Sequence, residues 1–125
     1  MNQKWKNYEV ENNNNYFNPS KAGLTDPDYL KIVSVFRQFP ELEEAILYGS
    51  RAKGNYQPYS DIDITLKGQN LNLDIQHKIT LALDDLYLPY NFDLSILSVI
   101  NNQDLLEHIG RVGVIFFKKN IHDIS

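Results

Sequence analysis

At 125 residues and 42% hydrophobic, the chain is long enough for one domain with a real core and too short for two to be expected. It has no cysteine, which excludes a disulfide framework and a thiolate metal site. Sixteen acids against twelve Lys and Arg leave a net charge of −4 and no basic field, so general nucleic-acid binding is not expected. The start, "MNQKWKNYEV", has no apolar signal core, and no stretch approaches the roughly 18 apolar residues of a membrane span. No membrane association and cytoplasmic residence are the expectations.

Residues 1–24 are polar, with "ENNNN" at 11–15, too little apolar surface to offset ordering entropy. They read as a loose arm whose aromatics, Trp5, Tyr8, Tyr16 and Phe17, offer a docking alternative. The domain proper is expected over 25–125. Asp26-Pro27-Asp28 reads as a helix start with Asp26 as N-cap. Tyr29, Ile32, Val33, Phe36 and Phe39 then recur at helical spacing, ending before Pro40.

Residues 45–48 are a short strand candidate, 50–53 a brief helical turn closed by Gly54, and "NYQPY" a loop. Residues 61–67 alternate with strand periodicity. Ile75, Ile79, Ala82 and Leu86 predict a long helix over 72–87, stopping near Pro89. Residues 92–97 read as a third strand, Asn101 as the cap of a helix carrying Leu105, Leu106, Ile109 and Val112, and 114–117 as an apolar closing segment of open type. The fold class is therefore α/β (α+β): one layered domain with a small mixed sheet and flanking helices.

Connection lengths give the strand directions. Ten residues between the first two strands are too few for a comfortable parallel crossover, so that pair is expected antiparallel; the long helix lets the third strand return parallel to the second. Gly49-Ser50 at the exit of the first strand, Asp61 and Asp63 at the entrance of the second, and Asp93 near the entrance of the third then meet at one sheet edge.

Residues two apart on a strand face the same side about 6.6 Å apart, so Asp61 and Asp63 lean toward one locus. Two carboxylates about 5 Å apart repel by about 3 kcal/mol at an effective dielectric near 20, a cost that a cation relieves. All-carboxylate oxygen sites suit Mg²⁺ or Mn²⁺, and two such ions clamp an in-line phosphoryl displacement. Gly49 allows close backbone approach to a phosphate, Ser50 adds an amide and a hydroxyl, and Arg51 and Lys53 are near enough to neutralise outer phosphate oxygens.

Each piece alone has a plainer explanation. An isolated Asp-x-Asp is more often a solvated strand edge, and Gly-Ser is usually only a turn. It is their joint spacing, with a third strand acid, that carries the signal. His77, His108 and His122 lack metal-ligand spacing and are expected at the surface or in helix packing. Tyr48 and Tyr59 flank the motif, as base-stacking candidates or, more commonly, as buried or rim tyrosines, and Glu41, Glu43 and Glu44 look like a solvated acidic run.

"GSRAKGNYQPYSDID" resembles the Gly-Ser, ten residues, Asp-x-Asp pattern of the polymerase-β-like nucleotidyltransferase superfamily. The run from about residue 27 to 118 is similar to its smallest branch, the minimal nucleotidyltransferases. The resemblance implies that Asp61 and Asp63 hold two divalent ions and that Asp93, in "NFDLSIL", helps activate the acceptor hydroxyl and joins them as a metal ligand. It implies that Gly49, Ser50 and Lys53 contact the triphosphate of ATP. The implied reaction moves a nucleoside monophosphate, AMP from ATP, to a hydroxyl with pyrophosphate leaving. In that branch the acceptor is often a tyrosine of an all-helical HEPN-type toxin, and the transferase is its antitoxin. Larger relatives append an acceptor-shaping domain that has no counterpart here, so acceptor recognition is expected from a partner. A non-catalytic module that binds and occludes its partner, and a transferase to a small hydroxylated molecule such as an aminoglycoside, remain the alternatives.

Overall fold

The computed structural model describes residues 17–119. Residues 1–16, with Trp5, Tyr8, Tyr16 and the Asn-rich run, and residues 120–125, with His122, lie outside the described residues. Helix α1 (Asp26–Arg37) is followed by β1 (Glu44–Tyr48), a one-turn helix α2 (Gly49–Lys53), β2 (Ile62–Lys67), α3 (Leu73–Asp84), β3 (Phe92–Ile96), α4 (Gln103–Val112) and β4 (Val114–Lys118). The four strands form one sheet in the order β3-β2-β1-β4, with β1 antiparallel to both β2 and β4, and β2 parallel to β3. The directions inferred from connection lengths are those observed.

The helix ends show where local chemistry places the boundaries. Thr25, one residue before the expected Asp26, caps α1: its Oγ1 accepts from the Asp28 N–H at 3.2 Å, leaving Asp26 in the first turn. The Asn72 side chain caps α3, accepting from the Ile75 N–H at 2.9 Å, and the helix stops at Asp84, three residues short of expectation, before Tyr87 at φ 54. Asn102 rather than Asn101 caps α4, its Oδ1 accepting from the Leu105 N–H at 3.1 Å. The closing segment is a strand.

Every residue of β1 is buried because both faces of the sheet are covered. Ala45 and Leu47 join Ile62, Ile64 and Leu66 in the larger core against α1 and α3, with Ile32, Phe36, Ile79 and Leu83. Ile46 and Tyr48 face the other way, into a smaller cluster with Leu97 and Ile109 beneath α4. The tail of the expected loose arm is packed: Ala22 and Leu24 are buried, and the Phe17 ring lies 4.8 Å from that of Phe116 and 5.1 Å from that of Tyr29. Two apolar anchors and an aromatic cluster outweigh the polar composition of residues 17–24.

Both outer strands are tied to helices. The β1 register jumps from Phe117 opposite Ala45 to Ile115 opposite Ile46, which leaves Phe116 as the extra residue of a bulge; the Tyr29 hydroxyl donates to its carbonyl at 2.9 Å. On the far side, Gln76 Nε2 donates to the Leu94 carbonyl of β3 at 2.8 Å.

Candidate active site

The exit of β1 and the entrances of β2 and β3 share one sheet end. In the ladder Tyr48 stands opposite Asp63, and Asp63 opposite Asp93. Directly opposed residues share a face, so these three side chains lie on the α4 side of the sheet, with Asp61 two residues before Asp63. Asp63 is half-buried, while Asp61 and Asp93 are exposed. Next along the same face, the Ser95 hydroxyl donates to Thr65 Oγ1 at 2.9 Å.

The chain turns at Gly49 with φ +76, a left-handed conformation that leads straight into α2. A Cβ at this position would overlap Asp63 Oδ2 and lie 3.3 Å from its Cγ. The missing side chain is therefore what lets the Asp63 carboxylate sit against the turn backbone. Ser50 follows at the head of α2, half-buried, and Lys53 ends the turn exposed.

Charge is concentrated here. Burial first, then the negative charges of Asp93 and Asp61, push the Asp63 carboxyl up to about 6 from 3.8, partly opposed by Arg51. Burial, with Asp93 and Asp63 adding to it, also raises the Tyr48 phenol. This donor set suits a hard divalent cation: the oxygens are carboxylate, and Asp63 is held in a field that a positive charge would relieve. Asp63, Asp93 and Asp61 are the residues that could hold such an ion. Among the described residues, no three His, Cys, Asp or Glu side chains close into a ready cluster, so the convergence is one of register and field rather than of a finished cage.

Arg51 departs from its expected part as a phosphate neutraliser. It is 2% exposed, and its guanidinium donates to the carbonyls of Ala22 at 2.8 Å, Ser60 at 3.0 Å and Pro58 at 3.2 Å. It lies between Tyr56 and Tyr90, 5.1 and 5.2 Å from the ring centroids. The roughly 100° step between successive helical residues turns it under the loop rather than over the site. Arg51 is the peg on which the ten-residue connection is hung.

One other expectation shifts, that for Glu44, while the two tyrosines take the plainer of their expected placements. Tyr59 is 82% exposed, at the rim, and Tyr48 is buried in the small cluster beneath α4. Glu44, placed by composition in a solvated run, is 7% exposed, flanked across the ladder by Lys67 and Lys118. Its Oε1 has no hydrogen-bond partner, and burial raises its carboxyl. A cleft of about 510 Å³ lined by Pro40, Glu44, Asn70 and Lys118 lies there, at the opposite end of β1 from Gly49.

A model of the polymerase beta nucleotidyltransferase family matches residues 30–122. The chain belongs to this family. Its fold is similar to that of a chain in a crystal structure of a toxin–antitoxin with AMP-PNP, at 23% identity over 76% of this chain and 77% of that one, with a TM-score of 0.60. It is also similar, at 20% identity over 79% and 77% with a TM-score of 0.56, to a chain of the toxin–antitoxin MntA–HepT. A third similarity, at 20% identity over 78% and 75% and a TM-score of 0.56, is to a chain in the complex of a tri-AMPylated Shewanella oneidensis HEPN toxin with MNT antitoxin. Among curated proteins, none matches the sequence.

One contact at the site of this nucleotidyltransferase domain was not legible in its sequence. The Gly49 N–H donates to His108 Nε2 of α4 at 3.2 Å, and the His108 ring meets that of Tyr48 edge-on at 6.1 Å. The partners lie 59 residues apart, so no local pattern announces them.

Proposed function

We propose that this nucleotidyltransferase moves AMP from ATP to a hydroxyl of a partner protein, as the antitoxin of a cytoplasmic pair whose other member is a helical HEPN-type toxin. The observation that carries the reading is the Asp63 carboxylate, set in register with Asp93 and pressed against the Gly49 turn. Asp61, Asp63 and Asp93 would hold Mg²⁺ or Mn²⁺, two ions in all. When bound, the metal supplies neutralisation of the triphosphate charge and polarisation of the reacting phosphate. Ser50 brings its amide and hydroxyl to the phosphates, Gly49 leaves room for their close approach, and exposed Lys53 adds a cation at the rim.

In the transfer, the acceptor oxygen bonds to the α-phosphorus while the bond to the β-phosphate bridge breaks. Pyrophosphate leaves with that electron pair, and the hydroxyl proton passes to Asp93. Positioning and charge stabilisation supply the rate. The partner assignment rests on the likeness of the fold to toxin–antitoxin chains.

The test combines the protein with Mg²⁺, ATP labelled at the α-phosphate, and the product of the neighbouring gene. Label on that product, absent with the Asp61→Asn/Asp63→Asn double variant, is the expected result. Transfer that survives the double variant rejects the assigned chemistry. Neutralisation of the partner that survives it without label transfer favours occlusion instead.

A further inference from the structure

We infer that His108 is a positioning residue for the nucleotide site: from α4, outside the Gly-Ser and Asp-x-Asp motif, its imidazole accepts the Gly49 amide and sets the turn on which the phosphates are received. The inference rests on the transferase reading and deepens it. Three features converge on this contact. The bond joins His108 Nε2 to the Gly49 N–H at 3.2 Å in a half-buried setting, where a hydrogen bond is less diluted by competing water. Gly49 is the residue whose left-handed backbone and missing Cβ admit the Asp63 carboxylate, so a shift of its amide is a shift at the metal-binding acid. The edge contact with Tyr48 then holds the imidazole plane, since Tyr48 is itself buried in the small cluster beneath α4.

Acceptance at Nε2 requires a neutral ring with its proton on Nδ1. The surroundings favour that state: desolvation, then the cations Arg111 on α4 and Lys53 on α2, lower the His108 pKa. The turn is thereby bridged to α4, which otherwise packs on the small cluster of Ile46, Tyr48, Leu97 and Ile109. Removing the acceptor leaves the turn its covalent path but not its restraint, which loosens nucleotide binding more than the chemistry after binding.

The experiment separates the acceptor from the ring. His108→Phe keeps an aromatic edge for Tyr48 and removes the acceptor, whereas His108→Gln keeps an amide oxygen able to accept. The expected result is a KM for ATP raised about five-fold in the Phe variant with kcat within about two-fold, and a KM restored to within about two-fold by Gln. The Gly49 amide resonance, read by ¹H–¹⁵N NMR, moves in the Phe variant and stays near its native position in the Gln variant. His108→Ala serves as a second acceptor-free variant if the Phe protein melts too low to assay. Unchanged KM in a folded acceptor-free variant overturns the inference, as does a Gln variant as impaired as Phe. Wild-type protein that binds no Mg²⁺-ATP brings down the transferase reading and this inference together, whereas wild-type transfer with an unaffected Phe variant brings down this inference alone.

Discussion

Gly49 and Gly54 form a matched pair, because both sit at positive φ, +76 and +90, but only one has a neighbour. A Cβ at Gly54 meets nothing within 4 Å, whereas at Gly49 it overlaps Asp63 Oδ2. Alanine at either position pays for the left-handed backbone, about 1 kcal/mol net, or roughly 4 °C in melting temperature for a domain this size. At Gly49 the carboxylate must also retreat until its oxygen clears the 3.0 Å that real Cβ atoms respect, which moves it by the better part of an ångström. Misplacement of about 1 Å at a reacting centre costs about 100-fold in rate, or about 2.7 kcal/mol. Gly49→Ala is therefore expected to lose about two orders of magnitude in kcat/KM for AMP transfer, and Gly54→Ala less than about three-fold, with similar melting temperatures. Mg²⁺-dependent transfer of α-labelled ATP and calorimetric melting measure the two axes. A Gly49→Ala protein that keeps a third of wild-type kcat/KM, or a Gly54→Ala protein that falls as far as Gly49→Ala, refutes the steric argument.

Three further predictions concern buried charge. The Asp63 carboxyl is raised to about 6 in the fold against 3.8 in an open chain, so its contribution to stability is fully present below pH 3.8 and is lost as pH rises through about 6. Asp63→Asn should melt higher than wild type at pH 8, by about 1 kcal/mol after allowing for solvent screening, with the gap closing toward pH 4; parallel melting curves from pH 4 to 8 contradict this. Glu44 follows the same sign, its carboxyl being raised by burial, so Glu44→Gln should melt higher than wild type at pH 8 and close to it at pH 4. A loss at pH 8 would mean that attraction to Lys118 outweighs desolvation. Arg51→Lys offers one nitrogen where three carbonyls and two rings are arranged around a planar fork, and should cost about 2–3 kcal/mol in urea unfolding; a change under about 0.5 kcal/mol refutes the peg assigned to Arg51.

The parts of this fold that sequence reasoning recovers are those written in local spacing. Two-residue alternation over 61–67 marks β2, apolar recurrence marks α1 and α3, and connection lengths alone orient β1, β2 and β3, whose ends carry the Gly-Ser turn and the acids. The same spacing brings Gly49, Asp63 and Asp93 to one edge. What escaped it is set by distant partners. Arg51 was read beside Lys53 as a cation over the site, yet the carbonyl of Ala22, 29 residues upstream, helps hold it beneath. Glu44 looked solvated beside Glu41 and Glu43 until its cross-strand neighbours were known. Residues 17–24 looked loose because their composition is polar, while Tyr29 and Phe116 reach Phe17 in space. The caps moved by one residue because Thr and Asp, or two successive Asn, are chemically equivalent choices until the backbone decides.

The tethers on the two border strands bear on how any protein can approach this one. A visiting chain seeking to extend the sheet would find the Phe116 carbonyl already claimed by a phenol on a distorted rung, and the Leu94 carbonyl by an amide from the neighbouring helix. Growth by annexation is discouraged on both flanks, which leaves loops and helix faces as the ground on which a companion must make its case.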